Sequence, residues 1–148
     1  MSVDRGGLMN EVEQAGEELV EEFRFLDNWM DRYQYLIDLG RKLPPFPQEF
    51  RTDDYRLHGC QSQVWLKTEP HGDRLAFQAV SDSAIVSGLI ALLMRVYNGK
   101  RAGEILASPP TFVQAIGLDE HLSPTRSNGL RAMIAAIRDA AAAIAGAT

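Results

Sequence analysis

Apolar residues recur every three or four positions over residues 8–26, at Val12, Ala15, Leu19, Phe23 and Leu26, while Glu11, Glu13, Glu17, Glu18, Glu21 and Glu22 fill most of the rest. One apolar stripe with an acidic remainder predicts an amphipathic helix with a solvated outer face. The glutamates lack the glycine turn and fixed register of a calcium loop, so solvation accounts for them. Asn28 then caps a second helix, in which Trp29, Tyr33, Leu36 and Ile37 share a core-facing side. That helix is expected to end near Leu39, with Gly40 as a left-handed stop and Pro44, Pro45 and Pro47 preventing its resumption.

Two short runs, 63–68 and 74–80, carry Val64, Trp65, Phe77 and Val80 on either side of Pro70-His71-Gly72-Asp73 and read as an antiparallel hairpin. Residues 56–58 add a brief third strand, because Tyr55 and Leu57 alternate with polar residues. Ser81 or Asp82 caps the clearest helix of the chain, whose Ile85, Leu89, Leu92, Leu93 and Val96 form a wide stripe ending at Asn98-Gly99. This helix is expected to pack across the hairpin. Residues 102–107 form a short helix, Ser108 caps another that begins with Pro109 and stops at Gly117, and Ser123-Pro124 opens a last helix with Leu130, Met133, Ile134 and Ile137 on one face. Beyond Arg138 the chain turns alanine-rich and is expected to fray. The elements describe one α+β domain over residues 1–148, with an acidic helical extension at 1–22 and a loose tail at 139–148.

Composition narrows what such a domain does. At 148 residues and 45% apolar, the chain is long enough to bury a sizeable core. A net charge of -5 is the wrong sign for tracking a phosphate backbone or an anionic membrane, so neither nucleic acid nor membrane is expected as a partner. The longest strongly apolar stretch, near residues 85–96, is too short to span a bilayer and is interrupted by Ser87, Gly88 and Arg95. One cysteine excludes an internal disulfide, and the first residues lack the apolar core of a secretory signal; a reducing, cytoplasmic setting is expected.

That cysteine, Cys60, lies in Arg56-Leu57-His58-Gly59-Cys60-Gln61-Ser62-Gln63-Val64-Trp65-Leu66, where an irregular segment gives way to a strand. Buried free cysteines behave as small hydrophobes and lie in apolar runs. Here Gly59 widens the backbone angles beside the thiol, and Gln61, Ser62 and Gln63 surround it with uncharged hydrogen-bonding groups, a setting for an accessible nucleophilic sulfur. An acyl-transfer triad needs an oriented histidine, and the choices are poor: His58 would point to the opposite face of an extended segment, His71 lies in the hairpin turn, and His121 precedes the last helix. One cysteine and three scattered histidines also lack the paired spacing of a metal site, so no metal is expected.

Three blocks in order carry a family resemblance: Gly59-Cys60-Gln61-Ser62-Gln63-Val64-Trp65, preceded by Pro44-Pro45 and Thr52-Asp53-Asp54-Tyr55; then residues 81–89; then residues 122–130. Over about residues 24–138 the chain resembles the SufE family, sulfur acceptors that work with cysteine desulfurases in iron-sulfur cluster assembly. The resemblance implies a fold shared with scaffold proteins of the IscU type, helices packed on one face of a small antiparallel sheet of about three strands. It implies that Cys60 takes persulfide sulfur from a SufS- or CsdA-type desulfurase, with His58, Gly59, Gln61 and Ser62 forming its loop. A downstream iron-sulfur scaffold or other sulfur acceptor then receives the sulfur from the protein, as monomer or homodimer. Pyridoxal phosphate belongs to the partner enzyme, and no resident cofactor is expected. Asp82 and Arg126 resemble family positions near the cysteine loop and are expected to face the partner or anchor the loop, although Asp82 as a plain helix cap and Arg126 as a solvated charge account equally well for the residues alone. A module that only binds and regulates a desulfurase, and a thiol-dependent hydrolase or transferase, are the alternative readings.

Overall fold

The computed structural model describes residues 9–59 and 61–147. The expectations that rest on Cys60 itself lie outside the described residues.

Helix α1 spans Glu11–Arg24 and opens with a reciprocal cap, in which Asn10 Oδ1 accepts from the Glu13 amide at 2.8 Å and the Glu13 carboxylate accepts from the Asn10 amide at 3.0 Å. Its stripe of Val12, Gly16, Leu19, Val20 and Phe23 is buried, with Leu19 at 0% and Phe23 at 1% exposure. The expected acidic extension is therefore a wall of the core. Helix α2, Trp29–Arg41, starts at the expected Asn28 cap, whose side chain accepts from the Asp31 amide at 2.9 Å.

Gly40 is not a left-handed stop; it lies inside α2, and the positive-φ glycines among the described residues are Gly59, Gly72, Gly99 and Gly117. Its reason is proximity. A Cβ on Gly40 would stand 2.7 Å from the Gly88 amide nitrogen of helix α3, Ala84–Tyr97, and a Cβ on Gly88 would overlap the Leu36 carbonyl. The two glycines let α2 lie directly against α3, backbone to backbone.

Short 3₁₀ turns at Gln48–Phe50 and Asp53–Tyr55 lead to the hairpin of β1, Val64–His71, and β2, Arg74–Ser81, paired antiparallel from Val64↔Ser81 to His71↔Arg74. The turn has two residues, Gly72 and Asp73, with Gly72 at φ 63°. Residues 56–58 do not form the third strand. They make one isolated bridge, Arg56↔Trp65, before the positive φ of Gly59 ends the extended run. The third strand is instead β3, Lys100–Arg101, paired to Leu75 and Arg74 at the far edge. Val64, Leu75, Phe77 and Ala79 point inward, and α3 and the last helix lie against that side. Trp65, Lys67, Gln78 and Val80 share the opposite face by register and alternation.

After β3 come α4, Ala102–Ala107; α5, Thr111–Ile116; α6, Leu118–His121; and α7, Pro124–Ala147. Gly117, at φ 90°, ends α5 as expected. The tail does not fray at Arg138: α7 continues to Ala147, with Ala141 at 0% and Ile144 at 9% exposure, and Ile144 lines a cavity shared with Pro70 and Leu75 near the hairpin tip. Among the described residues the architecture is thus seven helices over one face of a three-stranded antiparallel sheet, an α+β fold.

Candidate functional site

His58 and Gly59 before position 60, and Gln61, Ser62 and Gln63 after it, lie outside any helix or strand, in a loop whose neck is fastened on both sides. On one side the Leu57 amide donates to the Val64 carbonyl at 2.8 Å, next to the Arg56↔Trp65 bridge. On the other, Asp82 Oδ1 accepts from the Gln63 amide at 3.1 Å, and the Asp82 amide donates back to the Gln63 carbonyl at 3.4 Å. Asp82 is consequently not the cap of α3. Ser83 is, accepting from the Val86 amide at 3.3 Å, which leaves the Asp82 carboxylate to hold the loop.

Between these fastenings the backbone leans toward α7. A Cβ on Gly59, at φ 94°, would contact Ala132 Cβ at 3.5 Å. Gln61 and Ser62, together with Asp82, Ser83, Ser123, Thr125 and Arg126, line an open, mainly polar cleft of about 510 Å³. Ser123 Oγ accepts from the Arg126 amide at 3.3 Å and so sets the first turn of α7 at the rim. The structure therefore brings Gln61, Ser62, Asp82 and Arg126 around one depression, with His58 and Gly59 exposed on the same loop.

The other two histidines are occupied elsewhere. His71 pairs with Glu69 at 3.3 Å on β1, and His121 stacks on Trp29 with ring centroids 4.1 Å apart, its Nδ1 3.0 Å from the Gly117 carbonyl. Neither lines the cleft. Among the described residues no group of three or more His, Cys, Asp or Glu is placed to hold a metal ion, and no helix is long and apolar enough to cross a membrane. Sequence reasoning missed Ser83, Ser123 and Thr125 as lining residues. Ser123 was legible as a cap before Pro124, but nothing in the chain marked Thr125.

A family model described as an Fe-S metabolism associated domain, SufE, matches residues 17–141. The chain belongs to the SufE family. An uncharacterised SufE-like protein of Rhizobium meliloti (strain 1021) is 45% identical over 130 residues, covering 84% of this chain and 93% of that protein. A second uncharacterised SufE-like protein, from Rhizobium etli, is also 45% identical over 130 residues, covering 84% of this chain and 88% of its own. The solution structure of a hypothetical protein from Thermus thermophilus has the same fold, with a TM-score of 0.73 at 23% identity over 89% of this chain and 96% of that one. As a SufE domain the chain has its role in Fe-S metabolism, and the matched region runs from the middle of α1 into the stretch of α7 beyond Arg138.

Proposed function

We propose that this protein is a sulfur acceptor: Cys60 takes sulfane sulfur from a persulfide on a pyridoxal-phosphate cysteine desulfurase and carries it to iron-sulfur cluster assembly. The observation that supports this reading best is the fastened loop. The only cysteine of the chain falls within a six-residue segment pinned at both ends, whose flanking Gln61 and Ser62 share a polar cleft with Arg126. The described residues on either side of position 60 are thus fastened at the neck, and Gln61 and Ser62 line the polar cleft.

The exchange is a thiol–disulfide type displacement. The Cys60 thiolate attacks the outer sulfur of the donor persulfide, the new S–S bond forms on Cys60 as the donor S–S bond breaks, and the donor cysteine leaves as thiolate. No electrons enter or leave overall. Arg126, a fixed positive charge at the cleft, favours the anionic sulfur on which the attack depends. Pyridoxal phosphate stays with the desulfurase. The chemistry requires a compartment in which the thiol is kept reduced, and on this reading the protein works in the cytoplasm.

The test is mass spectrometry of the protein after incubation with a desulfurase and free cysteine. A gain of one sulfur atom on the Cys60 peptide, lost in Cys60→Ser, is the expected result. Full stimulation of the desulfurase by a folded Cys60→Ser variant would overturn the carrier reading in favour of a regulatory module.

A further inference from the structure

The helix-free face of the sheet carries an ordered cationic array at the neck of the cysteine loop. Arg51 and Arg56 both lie over the Trp65 ring, with guanidinium carbons 5.4 and 5.7 Å from its centroid. Lys67 Nζ stands 4.8 Å from the centroid of Phe50, which in turn meets Tyr55 edge to face at 5.2 Å. The register explains the grouping: Arg56 is bridged to Trp65, so both project from one face, and Lys67 follows two residues along β1 on the same side. The 3₁₀ turn Gln48–Phe50 then supplies Phe50, with Arg51 directly after it.

Grouping sets this array apart from ordinary surface charge. Arg51, Arg56 and Lys67 have no carboxylate partner among the described residues, as is also true of Arg32, Lys42, Lys100, Arg126 and Arg138, but these three stand together on one face beside the loop. The three are also held against aromatic faces, so they lose less freedom on meeting an anion than extended side chains would. A chain of net charge -5 has thus left unneutralised cations beside its cysteine loop.

We propose that this face docks an acidic segment of the cysteine desulfurase, its aspartate or glutamate side chains pairing with Arg51, Arg56 and Lys67. The proposal rests on the sulfur-acceptor reading, since a donor must approach the loop. A discrete pair or trio of carboxylates fits better than a continuous polyanion, because Glu49, Asp53 and Asp54 belong to the same segment and repel an extended phosphate chain. Docking here covers the Arg56↔Trp65 bridge and brings the donor to the neck of the loop without occupying the cleft at Arg126.

The experiment measures the affinity of the purified cysteine desulfurase of the same organism for the wild type and for a variant combining Arg51→Glu, Arg56→Glu and Lys67→Glu, at about 50 and about 300 mM salt, a range over which screening changes strongly. Expected is a rise in Kd of at least about tenfold at low salt that shrinks at high salt, with sulfur transfer at saturating desulfurase kept within about twofold. Arg51→Lys with Arg56→Lys should retain most of the affinity. Should the triple variant fail to fold, Arg51→Glu alone, exposed and outside any strand, reads the same interaction with a smaller change. An unchanged Kd, or a loss that salt does not alter, overturns the docking surface while persulfide on Cys60 leaves the sulfur-acceptor reading standing. Failure of the wild type itself to bind the desulfurase and take up sulfur overturns both.

Discussion

Asp82 and Gln63 exchange two hydrogen bonds, the Gln63 amide donating to the Asp82 carboxylate at 3.1 Å and the Asp82 amide donating to the Gln63 carbonyl at 3.4 Å. Only the first needs the side chain. Asp82→Ala is therefore expected to cost about 1 kcal/mol and to speed hydrogen exchange at the Gln63 amide, whereas Asp82→Asn keeps an acceptor oxygen and much of the fastening. Exchange measured by NMR at Gln63 separates the two. If Asp82 also faces the partner, Asp82→Asn alters desulfurase binding with little change in Tm.

Arg126 is exposed at the cleft rim, and its backbone amide, not its side chain, makes the bond to Ser123. Truncation at such a position changes folding by about 0.5 kcal/mol or less. Arg126→Ala is expected to leave Tm nearly unchanged while slowing sulfur transfer about tenfold or more, through loss of a charge that stabilises anionic sulfur. Equal and small effects on both would remove Arg126 from the site.

The Gly40–Gly88 approach gives a stability prediction of opposite sign to helix propensity. Alanine in place of a helical glycine ordinarily gains about 1 kcal/mol. At Gly88 the added methyl meets the Leu36 backbone, which has no flexible end to yield, so Gly88→Ala is expected to lose about 3 kcal/mol. Gly103, in α4, has nothing within 4 Å of where a methyl would stand and should instead gain from the same change. Urea denaturation of the two variants checks the contrast.

Glu22 joins three helices: it accepts from Arg95 Nη1 at 2.6 Å and from the Tyr35 hydroxyl at 2.5 Å. The Arg95 hydrogen bond, helped by Tyr35 and opposed by burial, holds the Glu22 carboxyl below its ordinary value. A depressed carboxyl contributes stability that is present above the unfolded value, about 4.3, and is lost as pH falls through the folded one. Wild type should exceed Glu22→Gln by at most about 1 kcal/mol at neutral pH, because the pair is partly solvated, with the gap closing below about pH 4. Parallel melts from pH 7 to pH 3 measure it.

Deleting residues 139–148 removes the buried Ala141 and Ile144. Exposing what Ile144 covers and losing its own burial should cost about 3 kcal/mol. A truncated chain with unchanged Tm would show that the last turns of α7 contribute no packing.

Legibility followed the strength of each pattern. The long amphipathic stripes of α1, α3 and α7, the Asn28 cap and the hairpin were readable because periodicity, caps and turn residues agreed with one another. Strand β3 was not, since two residues carry no period. Gly40 misled because a glycine near a helix end signals a stop, while its purpose here is contact with a segment 48 positions away, Gly88, which no local rule detects. The alanines after Arg138 looked weak for a related reason: a smooth stripe of small residues says little until the hairpin tip is placed against it. At the site, the cysteine motif identified the loop and its family, but the fastening by Asp82 depended on bringing the start of α3 beside Gln63. That juxtaposition exists only in the fold.

The sheet has one more consequence. Past the single bridge at Trp65, the outer edge of β1 has no strand beside it among the described residues. An open edge is a template on which other chains add and grow into fibrils. Pro70 withdraws one amide from that template, and Lys67, Glu69 and His71 make the remainder charged and hydrated. The open edge of the strand that leads out of the cysteine loop is thereby a poor template for a further strand.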